Sequence, residues 1–292
     1  MTPRQTASLV VLAAIWGSSF LFIRIAVDEL GPAVLTEVRV LVAAAAVAAF
    51  VAVRRGRLEL RSRWRGYLVL GTFAAALPFG LIAVAELELP ASLASILNAT
   101  PPIWSAVIAA LLFGERFTAR LAAGLTLALG GVALVVGLAP VEVDLPFVLA
   151  ALAMLASGLL YGAMGHFSAR RMKGVAPLSL VVGQHAAAAV VLLPAVALVP
   201  VREAPQVGEW GAVLALGLVC TALAFVLYFR LIAEVGATRT LTVTFLVPVF
   251  GVLWGALVLG EELRPLQGVG ALVLLAGVLL VVARPPAPRI QP

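Results

Sequence analysis

Ten side chains have the types and positions to hold a small polar ligand within otherwise apolar sequence: Trp16, Ser19, Arg39, Asn98, Thr100, Trp104, Tyr161, Gln184, His185 and Thr244. In an apolar medium each polar group needs a partner, from protein or from a wet cavity. Trp16 shares a helix face with Ser19, Phe20 and Ile23. It can wall a cavity or pack against a neighbouring helix, and Tyr161 stands in the same position. Asn98 and Thr100 precede Pro101-Pro102, which removes two donors and should kink a helix and free carbonyls. With Trp104 one turn on, an amide, a hydroxyl and loose carbonyls suit a zwitterion; Asn98 or Ser105 could instead satisfy the kink locally. Thr244 and Pro248 repeat the pattern in milder form. Gln184 and His185 are adjacent, about 100° apart on a helix, so one can line a cavity while the other makes an interhelical contact. His185 is a candidate proton carrier, whereas His166 falls near a helix end. Arg39 can attract a carboxylate or pair with Glu86 or Glu88, while Glu37 points to another side of the helix.

These residues must be positioned by membrane-spanning helices. Hydrophobic residues make up 63% of the 292 and charged residues 12%, against about 25% charged in soluble domains. Mean hydropathy is +1.14. So few charges cannot cover so much apolar side chain in water, and the fitting solvent is membrane lipid. The net charge of +6 then reports topology, and nucleic acid is not an expected partner. The single cysteine, Cys220, excludes an internal disulfide and a multi-cysteine metal site. Two histidines make no convincing metal site, and no dinucleotide or phosphate-binding loop is present, so no metal or cofactor is expected. The first apolar run, beginning near Thr6, has no clear cleavage site after it and reads as a retained helix.

A spanning helix needs about 20 apolar residues. Ten stretches qualify, near 6–27, 33–53, 66–86, 91–113, 119–138, 147–167, 176–199, 211–229, 238–259 and 266–283. Gly31-Pro32, Pro90, Pro140, Pro146, Pro177, Pro200, Pro205 and Pro265 mark the breaks. A cytoplasmic N-terminus puts 16 of the 20 basic residues inside, including six arginines between Arg54 and Arg65. Both termini are then cytoplasmic. The tail 285–292 reads as loosely ordered.

The stretch Asn98–Glu115 returns as Thr244–Glu261, 146 positions on: Pro102 falls on Pro248, Gly114-Glu115 on Gly260-Glu261, and beyond it Phe79 falls on Phe225. The chain therefore divides into residues 1–140 and 141–292, each with five helices. An odd number per half inverts the second half, an arrangement that places a site near the midplane between the halves. Gly251 with Gly255 and Gly124 with Ala128 read as helix-packing surfaces. Glu115 and Glu261 read as turn contacts to neighbouring backbone or Arg.

Trp16-Gly17-Ser18-Ser19-Phe20 in the first helix and a Pro followed by Gly-Glu in the fourth and ninth resemble the drug/metabolite transporter superfamily, its EamA family, and within that the YddG-type amino-acid exporters. Tyr161-Gly162-Ala163 stands where the second half would repeat Trp-Gly-Ser. The resemblance implies an all-α membrane protein of two inverted five-helix repeats, a central cavity, no ATP-hydrolysing domain and export of small metabolites in the inner membrane. A neutral or zwitterionic amino acid, aromatic ones included, is the expected substrate, since every acid maps near a helix end or loop. A multidrug-cation exporter and a non-transporting scaffold or sensor are the alternatives. An intramembrane enzyme would need a nucleophile–base pair or a metal cluster at depth, and none is visible. Neither coupling ion nor oligomeric state follows from sequence. With Cys220→Ala as background, a cysteine introduced as Arg57→Cys is expected to react with an impermeant thiol reagent from the cytoplasmic side alone; labelling from outside would overturn the topology.

Overall fold

The computed structural model describes residues 1–114, 117–137, 144–199, 205–236, 240, 243–262 and 264–282, and among these it is helical with no strand. Six helices are long and apolar enough to cross a membrane: α1 (Pro3–Val53), α2 (Trp64–Ala85), α3 (Ala91–Phe113), α5 (Leu145–Arg171), α6 (Pro177–Leu198) and α7 (Val207–Val235). Three further apolar helices, α4 (Ala119–Gly137), α8 (Val243–Leu259) and α9 (Pro265–Val282), are shorter. Leucine, valine and phenylalanine side chains stand exposed along them, among them Phe73, Leu111, Leu149, Leu193, Leu257 and Leu272. The chain is a multi-pass membrane protein.

Helix starts follow the local chemistry. Thr2 and Gln5 form a reciprocal capping box ahead of Pro3. Asp144 Oδ1 accepts from Phe147 N at 2.9 Å at the start of α5. Gly114 and Gly260 end α3 and α8 with φ of 70° and 68°, the left-handed region that glycine tolerates.

The breaks bear on two expectations. Gly31-Pro32 separates two helical arms of α1, as expected, but with no loop between them: Gly31 alone leaves helical geometry, at φ 72° and ψ 156°. Proline costs little at the start of the second arm, so a single glycine accommodates the turn. At Pro101-Pro102, α3 is interrupted over Asn98–Thr100 as the sequence requires. Of the carbonyls the two prolines free, that of Leu97 accepts from Thr100 N at 3.4 Å and Thr100 Oγ1 at 3.0 Å, so neither the Asn98 nor the Ser105 side chain satisfies it. Ser105 Oγ instead meets His166 Nε2 at 3.0 Å on α5. Glu115 and the 285–292 tail lie outside the described residues.

α2 and α7 each contain one π turn, Thr72–Ala76 and Leu218–Leu223, and the two begin 146 positions apart. In the second, Thr221 Oγ1 donates to Leu216 O at 2.9 Å.

Glycines set the closest helix contacts. α4 and α9 pack backbone to backbone: Gly131 faces Leu274, Gly277 faces Ala128 and Gly124, and Gly270 faces Val135. On α8, Gly251 receives Ser95 of α3, and Gly17 of α1 lies against Phe250 and Gly251. Glu261, beyond α8, accepts from the backbone N–H of Ala91 (2.8 Å) and Ser92 (2.9 Å), capping the start of α3. Gly131→Val is expected to lose about 1–3 kcal/mol of stability through overpacking. Its neighbour Gly130 faces open space, so Gly130→Val should stay within about 0.5 kcal/mol of wild type; melting curves of the two purified variants compare them directly.

Candidate functional site

α1 contributes twice to the centre of the bundle. Its first arm brings Trp16, Ser19, Phe20 and Ile23 on one face, and its second arm brings Arg39. Around these close Ala74, Phe79 and Ile82 of α2, Asn98 and Pro101 of α3, Tyr161 of α5, Phe225 and Tyr228 of α7, and Thr244 and Val247 of α8. They enclose a cavity of about 280 Å³, close to the low end of ligand-pocket volumes, roughly 300 Å³.

The walls are mainly aromatic. Trp16 lies 5.3 Å from Tyr228 and 6.1 Å from Phe225, centroid to centroid. Among the described residues, the one charged group on the wall is the Arg39 guanidinium. Its Nε donates to Thr221 Oγ1 at 3.0 Å, and its Cζ sits 3.7 Å above the Phe79 ring. The expected pairing of Arg39 with Glu86 or Glu88 is not formed: among the described residues the ion pairs are Arg24–Asp28 and Arg230–Glu234. The π turn of α7 sets Thr221 against α1, so a hydroxyl takes the place of a carboxylate. Ser19 Oγ and Asn98 Oδ1 are buried without a hydrogen-bond partner among the described residues, leaving two neutral groups on the wall with unmet bonding capacity.

Of the ten sequence candidates, Trp16, Ser19, Arg39, Asn98, Tyr161 and Thr244 line this cavity. The other four do not. Thr100 is buried and bonded to Leu97 O. Trp104 packs into the groove left by Gly158 and Gly162 of α5. Gln184 is half-buried on α6, its carbonyl against Gly71. His185 stands directly behind the wall: its ring lies 6.1 Å from Phe79 and 5.5 Å from Phe225, and Nδ1 meets Val181 O at 2.7 Å.

Phe79, Phe225, Tyr228 and Thr221 were not among the candidates. The first two carried a signal: they occupy matched positions 146 apart, and both line the cavity and flank His185. Nothing in sequence sets Thr221 apart from other threonines in apolar runs.

The EamA-like transporter family model matches residues 6–137 and 148–283. The chain belongs to that family. Among its relatives is a "Probable terminal-alkyne amino-acid exporter" of Streptantibioticus cattleyicolor, 29% identical over 95% of this chain and 93% of the relative. A "Probable amino-acid metabolite efflux pump" of Salmonella typhimurium is 25% identical over 93% and 92%. An uncharacterized Pseudomonas aeruginosa protein is 31% identical over 97% and 96%. A solved crystal structure superposes with a TM-score of 0.65 at 19% identity over 96% of each chain, which shows the shared fold.

Thr221→Val should leave a buried guanidinium N–H unpaired and cost this EamA-like transporter about 1–3 kcal/mol. Thr221→Ser keeps the hydroxyl, so its melting temperature should remain near wild type.

Proposed function

We propose that this EamA-like transporter exports neutral amino acids, aromatic ones included, by alternating access as a secondary transporter. The carrying observation is a guanidinium, free of any carboxylate partner among the described residues, on the wall of a small aromatic cavity. An amino acid meets that wall with matching chemistry. Its carboxylate satisfies Arg39, its ammonium finds acceptors at Asn98 Oδ1 and Ser19 Oγ, and an apolar side chain lies against Trp16, Phe225 and Tyr228. The names of two relatives point to the same substrate class.

The multidrug-cation alternative fits less well. Among the described residues no carboxylate lines the cavity, and the Arg39 charge on its wall, seated over Phe79, repels a cation. A scaffold would have no use for such a cavity, and flux in liposomes separates a sensor from a transporter.

The architecture proposed for this function is ten crossings in two inverted five-helix repeats, 1–140 and 141–292, with α1 crossing twice about Gly31. Matched π turns in α2 and α7 and matched left-handed glycines at Gly114 and Gly260 support it. The charge distribution supports cytoplasmic termini in the inner membrane of a bacterium.

Counterflow in proteoliposomes tests the reading. Labelled phenylalanine and methionine should exchange, and permanent cations should neither exchange nor compete. Arg39→Gln should weaken phenylalanine binding by roughly 10- to 100-fold, the value of a charge-assisted hydrogen bond. Exchange confined to permanent cations would reject the amino-acid assignment.

A further inference from the structure

Glu86 follows the last residue of α2 and is fully buried. Both of its carboxylate oxygens are buried without a hydrogen-bond partner among the described residues. An ionised carboxylate in that condition carries an uncompensated desolvation cost of several kcal/mol, whereas the protonated acid is neutral. Burial pushes this carboxyl well above the usual carboxylate range; Glu261 adds to the rise, and Arg24 and Arg39 oppose it.

The surrounding charges connect two openings. On the one side lies an open depression of about 500 Å³, with Arg24, Asp28, Glu88 and Glu261 on its walls. On the other lies the aromatic cavity, walled in part by Arg39. Glu86 lines neither, and its charge partners come from both: Arg24 and Glu261 from the depression, Arg39 from the cavity. None of the three neutralises it directly. Arg24 Nη1 is spent on Asp28 Oδ2 at 2.8 Å and on the backbone carbonyl of Glu86 at 3.2 Å. Glu261 is held by the Ala91 and Ser92 N–H groups. Arg39 is turned to Thr221 and Phe79. α5, packed along the same end of α2, carries no titratable side chain between Leu145 and Leu160.

We propose that Glu86 is a proton-binding site of this transporter, reached from the outer depression, and that its proton and the carboxylate end of a substrate favour the same state of the cavity. The second part rests on the amino-acid reading above; the first does not. With Glu86 neutral, Arg39 presents its full charge to a substrate carboxylate. With Glu86 ionised, the two carboxylates compete for one guanidinium. Substrate binding therefore takes up a proton, and by reciprocity affinity falls as pH rises through the titration of Glu86. Stability follows the same sign. A carboxyl raised in the folded protein binds more protons there than when unfolded, so its contribution is most favourable below the ordinary carboxylate range, near pH 4, and is lost as pH rises through the raised value.

Three measurements on purified protein in lipid nanodiscs decide it. Infrared spectra of wild type should keep a protonated-carboxyl C=O band well above about pH 4. Glu86→Gln should remove the Glu86 part of that band, leaving only what the buried, unpartnered Glu37 contributes, and Glu86→Asp should shift it. Melting temperature should fall with rising pH in wild type more steeply than in Glu86→Gln. Phenylalanine affinity should drop by roughly 5- to 100-fold across the same titration and be flat in Glu86→Gln. A wild-type spectrum without the band, or a band untouched by both substitutions, overturns the proton site. A band that behaves as expected with pH-independent phenylalanine affinity overturns the linkage. If phenylalanine does not bind at any pH, the amino-acid reading fails while the infrared result still decides the proton site.

Discussion

A guanidinium in the middle of an apolar bundle is the costliest group this chain has to accommodate, and the centre of the structure is arranged around it. Arg39 has no carboxylate against it, so its charge is met by weaker means: the face of Phe79, the hydroxyl of Thr221 and the open cavity. Thr221 can accept from Arg39 because its own proton goes to Leu216 O, a carbonyl five residues back. The chain of dependence runs from a local change of helical pitch, through one hydroxyl, to the orientation of a charge. Compensation by dipoles and a π face leaves residual attraction for an anion, where a salt bridge would have cancelled it.

The rest of the bundle keeps the cavity small and its walls fixed. α4 and α9 meet through glycines that bring backbone against backbone at Gly131–Leu274 and Gly277–Ala128, with Leu134, Val135 and Val281 filling the rest. Gly17 and Gly251 let α1 and α8 come close just beneath Trp16 and Ser19. Behind the front row, His185 braces Phe79 and Phe225 from the α6 side. The aromatic wall is thus two layers deep, and its outline is set by residues that never face the cavity.

What could be read from the sequence follows from how local each cause is. Hydropathy located the helices because burial in lipid acts residue by residue. Pro101-Pro102 located the break in α3 because a missing N–H acts on its own turn. The direction in which a side chain points depends on a neighbouring helix, which a periodicity does not identify. Trp104 illustrates this: it lies one turn from Asn98 and Pro101, yet Gly158 and Gly162 offer it a slot on α5, away from the cavity. Glu86 read as a helix-end acid able to pair with Arg39, whereas the fold buries it unpaired. The π turns had no composition to betray them, since Thr72–Ala76 and Leu218–Leu223 share few residue types. Spacing between repeats was the stronger guide, and at Phe79 and Phe225 it held more information than was drawn from it.

Gly31 bears on how the chain is made. In the proposed ten-crossing arrangement the two arms of α1 meet at a single residue off helical geometry, so what is handed across a bilayer during synthesis is a tight turn that carries Asp28 and Glu29. The orientation of this segment is then biased by the basic residues at its two ends, Arg4 and the cluster from Arg54 to Arg65. In that arrangement the arms enter as one hairpin-shaped unit, and Arg39, carried on the second arm, precedes by 182 residues the Thr221 hydroxyl that accepts from it.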